Sequence, residues 1–336
     1  MTPQKKKLTR LGYSWRMYGG LRAANQAYSR ADDMAAYPFP RAIQLQTVNA
    51  CQAACKMCPY PVFSRVFPRG RMDDELFNKV VAEIAARPEV TTFIPMLQNE
   101  PFLDKQLFER IGRFKHATGG RVEVELVTNG AFLTEANIER IRKARVDVLD
   151  VSLDALSREV YERIRVGLDY DAVLAGVERL VAADLPDTSV FVRLVRQRDN
   201  VQEVKAFTRH WRKQGVPVFV YTANNRVGEL PRFDEDVRVP DEHVPVLHRI
   251  GRRAFRAWMG HCPLPFASSN ILHNGDVLLC VHDWGRKEVL GNVRDATLAE
   301  IWNGPRMREI RRLVKDRRYA ELPACRDCSL CRDGWF

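Results

Sequence analysis

The stretch Ile43-Gln44-Leu45-Gln46-Thr47-Val48-Asn49-Ala50-Cys51-Gln52-Ala53-Ala54-Cys55-Lys56-Met57-Cys58-Pro59-Tyr60 runs an apolar–polar alternation directly into three cysteines. Alternation of period two reads as a strand with two unlike faces, so Cys51, Cys55 and Cys58 sit on a short loop at its end. Three thiolates on one loop can hold three corners of an iron–sulfur cube. A [4Fe–4S] cluster ordinarily takes a fourth cysteine, and a loop that supplies three leaves one iron open to bind and activate a small molecule. The competing reading is a zinc site or a set of inert buried thiols. Zinc loops favour CxxC pairs with a fourth Cys or His nearby, and no His lies within this loop.

Outward from this loop, β-rich runs at 42–48, 91–97, 122–128, 146–153, 188–196 and 216–222 alternate with amphipathic helical stretches. The helical stretches are 73–86, 105–116, 135–143, 170–183 and 201–214. Six β/α units in succession argue for an α/β fold with a parallel sheet and helices outside. Six units rather than eight favour a partial (β/α)6, TIM-like barrel over a closed one; a flat doubly wound sheet stays open. Several strands carry one polar face: Gln44 and Gln46, Glu123 and Glu125, then Asp150, Ser152 and Asp154. Sheets covered by helices are normally apolar on both faces. One polar face therefore suggests a barrel interior that holds a hydrated ligand, unless these groups merely sit at strand ends.

The chain has 336 residues, is 46% hydrophobic and has a mean hydropathy of −0.32. No apolar run approaches the ~20 residues of a membrane span, and the N-terminus lacks the apolar core of a secretory signal. A cytoplasmic location is expected. Eight Cys in such a chain point to metal ligation rather than disulfides. The net charge of +11 gathers in runs at 249–256 and 306–318. Solvated basic helix faces explain it most simply. Docking of an acidic electron donor is a second reading, and nucleic-acid binding a third and less favoured one.

The other five cysteines are Cys262, Cys280, Cys325, Cys328 and Cys331. The segment 269–280 reads as a β-hairpin with its turn at Asn274-Gly275, and Cys325-Arg-Asp-Cys328-Ser-Leu-Cys331 follows a basic helix. Cysteines converging from separate segments suit one inorganic core, and a structural zinc remains the alternative. The resulting division is an N-terminal extension at 1–40, a barrel at 41–226, a linker with a helix at 227–261 and a cluster domain at 262–336.

The CxxxCxxC spacing, with Met57 packed before the last Cys, resembles the signature of the radical S-adenosylmethionine (radical SAM) superfamily. The C-terminal cysteines, with Gly275 five residues before Cys280, resemble the SPASM and Twitch extensions of that family, as does Leu290-Gly-Asn-Val…Leu298-Ala-Glu-Ile-Trp-Asn. The resemblance covers roughly residues 40–331. It implies a SAM-binding [4Fe–4S] cluster on Cys51, Cys55 and Cys58, SAM itself, and one auxiliary [4Fe–4S] cluster. Five C-terminal cysteines rather than the seven of a full SPASM domain imply the shorter Twitch form, ligated by Cys262, Cys280, Cys325 and Cys328. Cys331 replaces one of these or stays beside them. Gln98-Asn99-Glu100-Pro101 resembles the family's Gly-Gly-Glu-Pro with its glycines lost, which implies that Glu100, and less firmly Asn99, meets the SAM amine. Ser152 resembles the position that touches the SAM ribose or carboxylate, Arg193 would fork to the carboxylate, and backbone near Met57 would meet the adenine edge.

The family reaction generates a 5′-deoxyadenosyl radical that abstracts hydrogen from an unactivated carbon. Where a Twitch enzyme oxidises a secondary alcohol, the carbon radical loses a proton to a base and an electron to the auxiliary cluster. Candidates for the catalytic groups facing the interior are Glu125, Asp150, Arg193 and Tyr221. The expectation is an enzyme acting on a polar small molecule of the sugar, aminocyclitol or nucleoside type in secondary metabolism. Reductant would come from an external donor such as flavodoxin or ferredoxin. Peptide modification is the second reading, with C–C or C–S bond formation a further one. A zinc-bound basic nucleic-acid module is the alternative from outside enzymology.

Overall fold

The computed structural model of the chain describes residues 39–183, 185–244, 250–251, 254 and 257–330. All six expected runs form strands, each trimmed where the chain turns into a loop. They are β1 (Ala42–Leu45), β2 (Thr92–Ile94), β3 (Glu123–Thr128), β4 (Val148–Ser152), β5 (Ser189–Arg196) and β6 (Val218–Thr222). The helices between them are α1 (Asp74–Ala85), α2 (Leu107–Ala117), α3 (Glu135–Ala144), α4 (Arg158–Ile164), α5 (Tyr170–Ala182) and α6 (Val204–Lys213). Side-chain caps fix three of the starts: Asp73, Thr134 and Asp169 accept from the backbone N–H of Leu76, Asn137 and Ala172. The short α4 was not expected from the sequence pattern.

The sheet runs in the order β6-β5-β4-β3-β2-β1, parallel throughout. A doubly wound sheet reverses its strand order at a switch point, and no reversal occurs here. Right-handed crossovers in one direction place every helix on one face, which is the partial barrel. Its convex face packs Ile43, Leu45, Phe93, Leu126, Leu149, Val151, Val192 and Leu194 against Phe77, Phe114, Ile141, Val177 and Leu180 of the helices in one core. Burying each such side chain contributes about 1.5–3 kcal/mol, and Phe93 stacks on Phe114 at 4.0 Å between ring centroids.

The concave face is not polar throughout. Strand register sets Glu125 beside Val148, Asp150 beside Phe191 and Ser152 beside Arg193. Val148, Phe191 and Phe219 form a separate apolar cluster with Tyr221 packed on it. The interior is therefore plugged by apolar side chains toward its floor and polar toward the C-terminal ends of the strands. The alternation seen in β4 does not extend across β5, where Phe191 and Arg193 share a face.

The C-terminal segment continues this sheet. β7 (Ser268–Ile271) pairs parallel with β1, and β8 (Asp276–Leu278) and β9 (Val289–Asn292) follow antiparallel. A free β1 edge would expose unpaired backbone groups, and β7 covers it. The hairpin turn holds Gly275 at φ 99°, where a Cβ would meet Asn292 Oδ1 at 2.4 Å. Two helices follow, α7 (Leu298–Trp302), opened by a Thr297–Glu300 capping box, and α8 (Pro305–Lys315). The basic run 306–318 is not a uniformly solvated face. Arg311 is buried, with Nε donating to Pro265 O at 2.9 Å and its guanidinium 4.2 Å from the Trp302 ring, while Arg306 pairs with Glu288 and Arg318 with Glu321.

The linker is packed rather than loose: Val227, Leu230, Val237 and Val239 are buried, and Phe233–Val237 makes one π-helical turn. Its expected helix is seen at 250–251, 254 and 257–259. The N-terminal extension up to residue 38 and Cys331 lie outside the described residues, as does most of the basic run 249–256. Among the described residues no helix is long and apolar enough to cross a membrane.

Candidate active site

The Cys51–Cys58 loop lies at the C-terminal end of β1, pinned by its neighbours along the same rim. Ala54 N donates to Val166 O at 2.8 Å, Lys56 N to Ile164 O at 2.9 Å, and Gln52 Nε2 to Asn129 Oδ1 at 3.2 Å. Lys56 Nζ pairs with Asp199 at 2.7 Å. Burial pushes the thiols up, Cys51 to about 12 and Cys58 to about 11, with Cys55 raised as well. The three lie within electrostatic range of one another. Buried neutral thiols that lose protons to a metal couple ligation to folding. Arg165 Nη1 donates to Cys55 Sγ at 3.6 Å and pairs through Nη2 with Asp154. Asp154 holds φ 67° and also accepts from Val195 N at 2.6 Å. Met57 packs its side chain into the main core, which leaves only its backbone to face a ligand.

Glu100 stands against this loop, its N–H donating to Ala50 O at 2.9 Å. Its carboxylate accepts from Thr128 Oγ1 at 2.8 Å, Asn129 N at 2.9 Å and Phe102 N at 3.3 Å. Burial pushes its carboxyl up to about 7 against those three donors. The side chain expected to meet a SAM amine thus also ties β3 to the loop after β2, with acceptor capacity left for a further donor. Asn99 Oδ1 accepts from Leu97 N at 3.0 Å, while its Nδ2 is buried without a partner, a donor available to a ligand.

The auxiliary cysteines converge as expected. Cys262, Cys280, Cys325 and Cys328 line one pocket with Val227, Leu264, Leu279 and Ala324. Burial raises the Cys280 thiol well above its ordinary value, and the other three thiols add to the rise. None of the seven described cysteines is in a disulfide. No three His, Cys, Asp or Glu side chains among the described residues close to the spacing of a single metal ion; the thiol sets instead lie within mutual electrostatic range. Soft thiolate donors in these numbers, three in one set and four in the other, fit iron–sulfur cores.

Contacts that sequence reasoning did not find join the two sets. Gln98 Nε2 donates to Val281 O at 3.2 Å and Asp283 O at 3.1 Å, Tyr60 meets Trp284 edge-on at 6.5 Å, and Arg226 Nη1 meets His282 Nδ1 at 2.7 Å. Asn225 brackets Ser329, donating and accepting at 3.0–3.1 Å through backbone and side chain. Gln98 stands where the resemblance has a glycine, and its departure from that pattern was the available signal.

Inside the barrel, Asp150 is 1% exposed and pairs with Arg193, whose guanidinium lies 4.8 Å from the Tyr221 ring centre. Burial raises the Asp150 carboxyl despite Arg193, and its Oδ1 is buried without a partner. Ser152 is level with Arg193 across the register. Three of the four catalytic candidates, Asp150, Arg193 and Tyr221, come together. Glu125 is buried level with Val148, two residues deeper than Asp150 and beside the apolar floor. Arg193, expected to reach a SAM carboxylate, spends Nη2 on Asp150.

Comparisons with known proteins agree with this geometry. The family model described as the radical SAM superfamily matches residues 45–210, and that of an iron–sulfur cluster-binding domain, SPASM, matches residues 262–329. The AdoMet-dependent heme synthase of Methanosarcina barkeri is 30% identical over 44% of this chain and 41% of its own length. The S-adenosyl-L-methionine-dependent 2-deoxy-scyllo-inosamine dehydrogenase of Niallia circulans is 20% identical over 85% of this chain and 92% of its own. The crystal structure of BtrN with AdoMet and 2-DOIA superposes with a TM-score of 0.61 at 18% identity, covering 87% of this chain and 94% of that one. The chain belongs to the radical SAM superfamily, as an enzyme with a C-terminal SPASM domain, and with that membership come a SAM-binding [4Fe–4S] cluster, SAM and auxiliary iron–sulfur clusters.

Proposed function

We propose that this enzyme oxidises a carbon–oxygen centre of a polar small molecule of the sugar, aminocyclitol or nucleoside type, with one auxiliary [4Fe–4S] cluster as electron acceptor. When bound at its cluster, SAM supplies the hydrogen-abstracting radical. The chain's own residues supply the rest. The observation that carries the reading is Asp150: a buried carboxylate with one oxygen held by Arg193, the other unpartnered, and its carboxyl raised by burial. Such a group takes a proton well. After one hydrogen has left the substrate carbon, Asp150 would take the hydroxyl proton, and an auxiliary cluster held by Cys262, Cys280, Cys325 and Cys328 would supply the acceptor for the one remaining electron, so that a carbonyl is left. Arg193 orients the carboxylate, and Tyr221 beneath it keeps that pair fixed. The apolar floor of Val148, Phe191 and Phe219 closes the site from below and excludes water.

On this reading the SAM contacts are the backbone near Met57, Asn99 Nδ2 and Ser152, with Glu100 holding the rim in place. The enzyme works in the cytoplasm and takes electrons from a flavodoxin or ferredoxin. The test is an anaerobic assay of the reconstituted enzyme with deuterated cyclitols, aminocyclitols, amino sugars and nucleosides, following deuterium in 5′-deoxyadenosine. Label from one defined carbon of one compound supports the reading. Label from a peptide and from none of these compounds would replace it with peptide modification.

A further inference from the structure

Arg226 follows β6, at the same end of the barrel as the Cys51–Cys58 loop. It is a non-glycine residue held at φ 48°, and its half-buried side chain is within electrostatic range of both cysteine sets. The thiols of Cys58 and Cys280, the Arg193 guanidinium and Asp154 all act on it electrostatically. Yet among the described residues its side chain hydrogen-bonds to one partner, His282 Nδ1, at 2.7 Å. Among the described residues it has no carboxylate within ion-pair distance and donates to neither sulfur, unlike Arg165, which pairs with Asp154 and donates to Cys55. Its Nε is buried with no acceptor. A guanidinium buried without an ion-pair partner is costly, and it is the side chain best shaped to take an oxyanion in a two-pronged grip.

His282 completes the grip. An arginine can only donate, so Nδ1 is the acceptor and the neutral imidazole carries its proton on Nε2. The pair therefore offers the remaining guanidinium N–H groups and one imidazole N–H. We propose that Arg226 and His282 bind an oxyanion on the substrate, a carboxylate or a phosphate, and so hold its reacting carbon between the two cluster sites. This rests on the small-molecule reading above and narrows it to a substrate with an anionic group.

The test uses the reconstituted enzyme with SAM present and three matched probes, glucuronate, glucose 6-phosphate and glucose, titrated anaerobically by calorimetry. One of the charged probes should bind at least ~10-fold more tightly than glucose, glucuronate marking a carboxylate substrate and the phosphate ester a phosphorylated one. Arg226→Gln should abolish that preference while SAM affinity and iron content hold. Should Arg226→Gln fail to take up iron, His282→Asn, which removes the Nε2 donor and spares the arginine, should weaken the charged probe about 10-fold. Equal binding of all three probes by the native enzyme would overturn the proposal. So would a preference that survives both substitutions, or loss of SAM affinity in step with it, which would assign Arg226 to SAM. The deuterium assay is independent of these outcomes: a neutral labelled compound sinks the anion site and spares the small-molecule reading, and a labelled peptide sinks the latter.

Discussion

Arg165 donates to the sulfur of Cys55 at 3.6 Å while its other terminal nitrogen is held by Asp154. The carboxylate keeps the guanidinium on a sulfur that the proposed function makes a cluster ligand, and hydrogen bonds to ligand sulfur set cluster potential. Arg165→Leu removes a cation and a donor that favour the reduced, more negative cluster. A charge-assisted bond of about 1.5 kcal/mol converts to about 60 mV for one electron. The SAM-site cluster should fall by roughly that amount in an EPR-monitored redox titration.

Asp150→Asn keeps the size of the side chain and removes its basicity. Product formation should fall about 100-fold or more, the usual contribution of a positioned base. The native rate should fall as pH drops through the Asp150 pKa, which burial places above the ordinary carboxylate range. The acid limb of the pH–rate profile should therefore lie higher than an exposed aspartate would give, and it should vanish in Asp150→Asn.

Glu100 has a folded-state carboxyl near 7 against an ordinary value of about 4.3. A raised value means that the folded state holds its proton more tightly. The stabilisation is complete below about pH 4 and is lost as pH rises through 7, at most about 4 kcal/mol in all. Thermal unfolding of the metal-free protein should show a melting temperature that declines from pH 5 to pH 8, and Glu100→Gln should flatten that decline.

Cys280→Ala should lower bound iron from about eight to about four per chain, because one of two cubane sites is lost. Cys331→Ser should keep the full iron complement, since Cys262, Cys280, Cys325 and Cys328 already converge. Iron and sulfide assays on anaerobically reconstituted protein decide both.

The repeating part of the fold was legible because period-two strands and amphipathic helices are local patterns, and both cysteine sets stood out by spacing. Asp150 and Arg193 were legible as polar residues in otherwise apolar strands. Their pairing was not, because it depends on the β4–β5 register. The apolar floor was hidden for the same reason: Phe191 reads as ordinary core until register aligns it with Asp150. Pairing of β7 with β1 joins segments over two hundred residues apart. Arg165 and Arg226 lie outside the cysteine motifs and outside the basic runs at 249–256 and 306–318, so nothing local marks them. Only the folded chain brings Arg165 to the sulfur of Cys55 and Arg226 within electrostatic range of Cys58 and Cys280.

In the proposed reaction one electron would leave the substrate for the auxiliary cluster as Asp150 takes the proton. A freeze-quenched single turnover, read by EPR and by product mass, tests it most directly. The account predicts a product two hydrogens lighter, formed together with the signal of a reduced auxiliary cluster, and both lost in Asp150→Asn. Oxidised product formed with no reduction of that cluster, or formed equally well by Cys280→Ala, would contradict it.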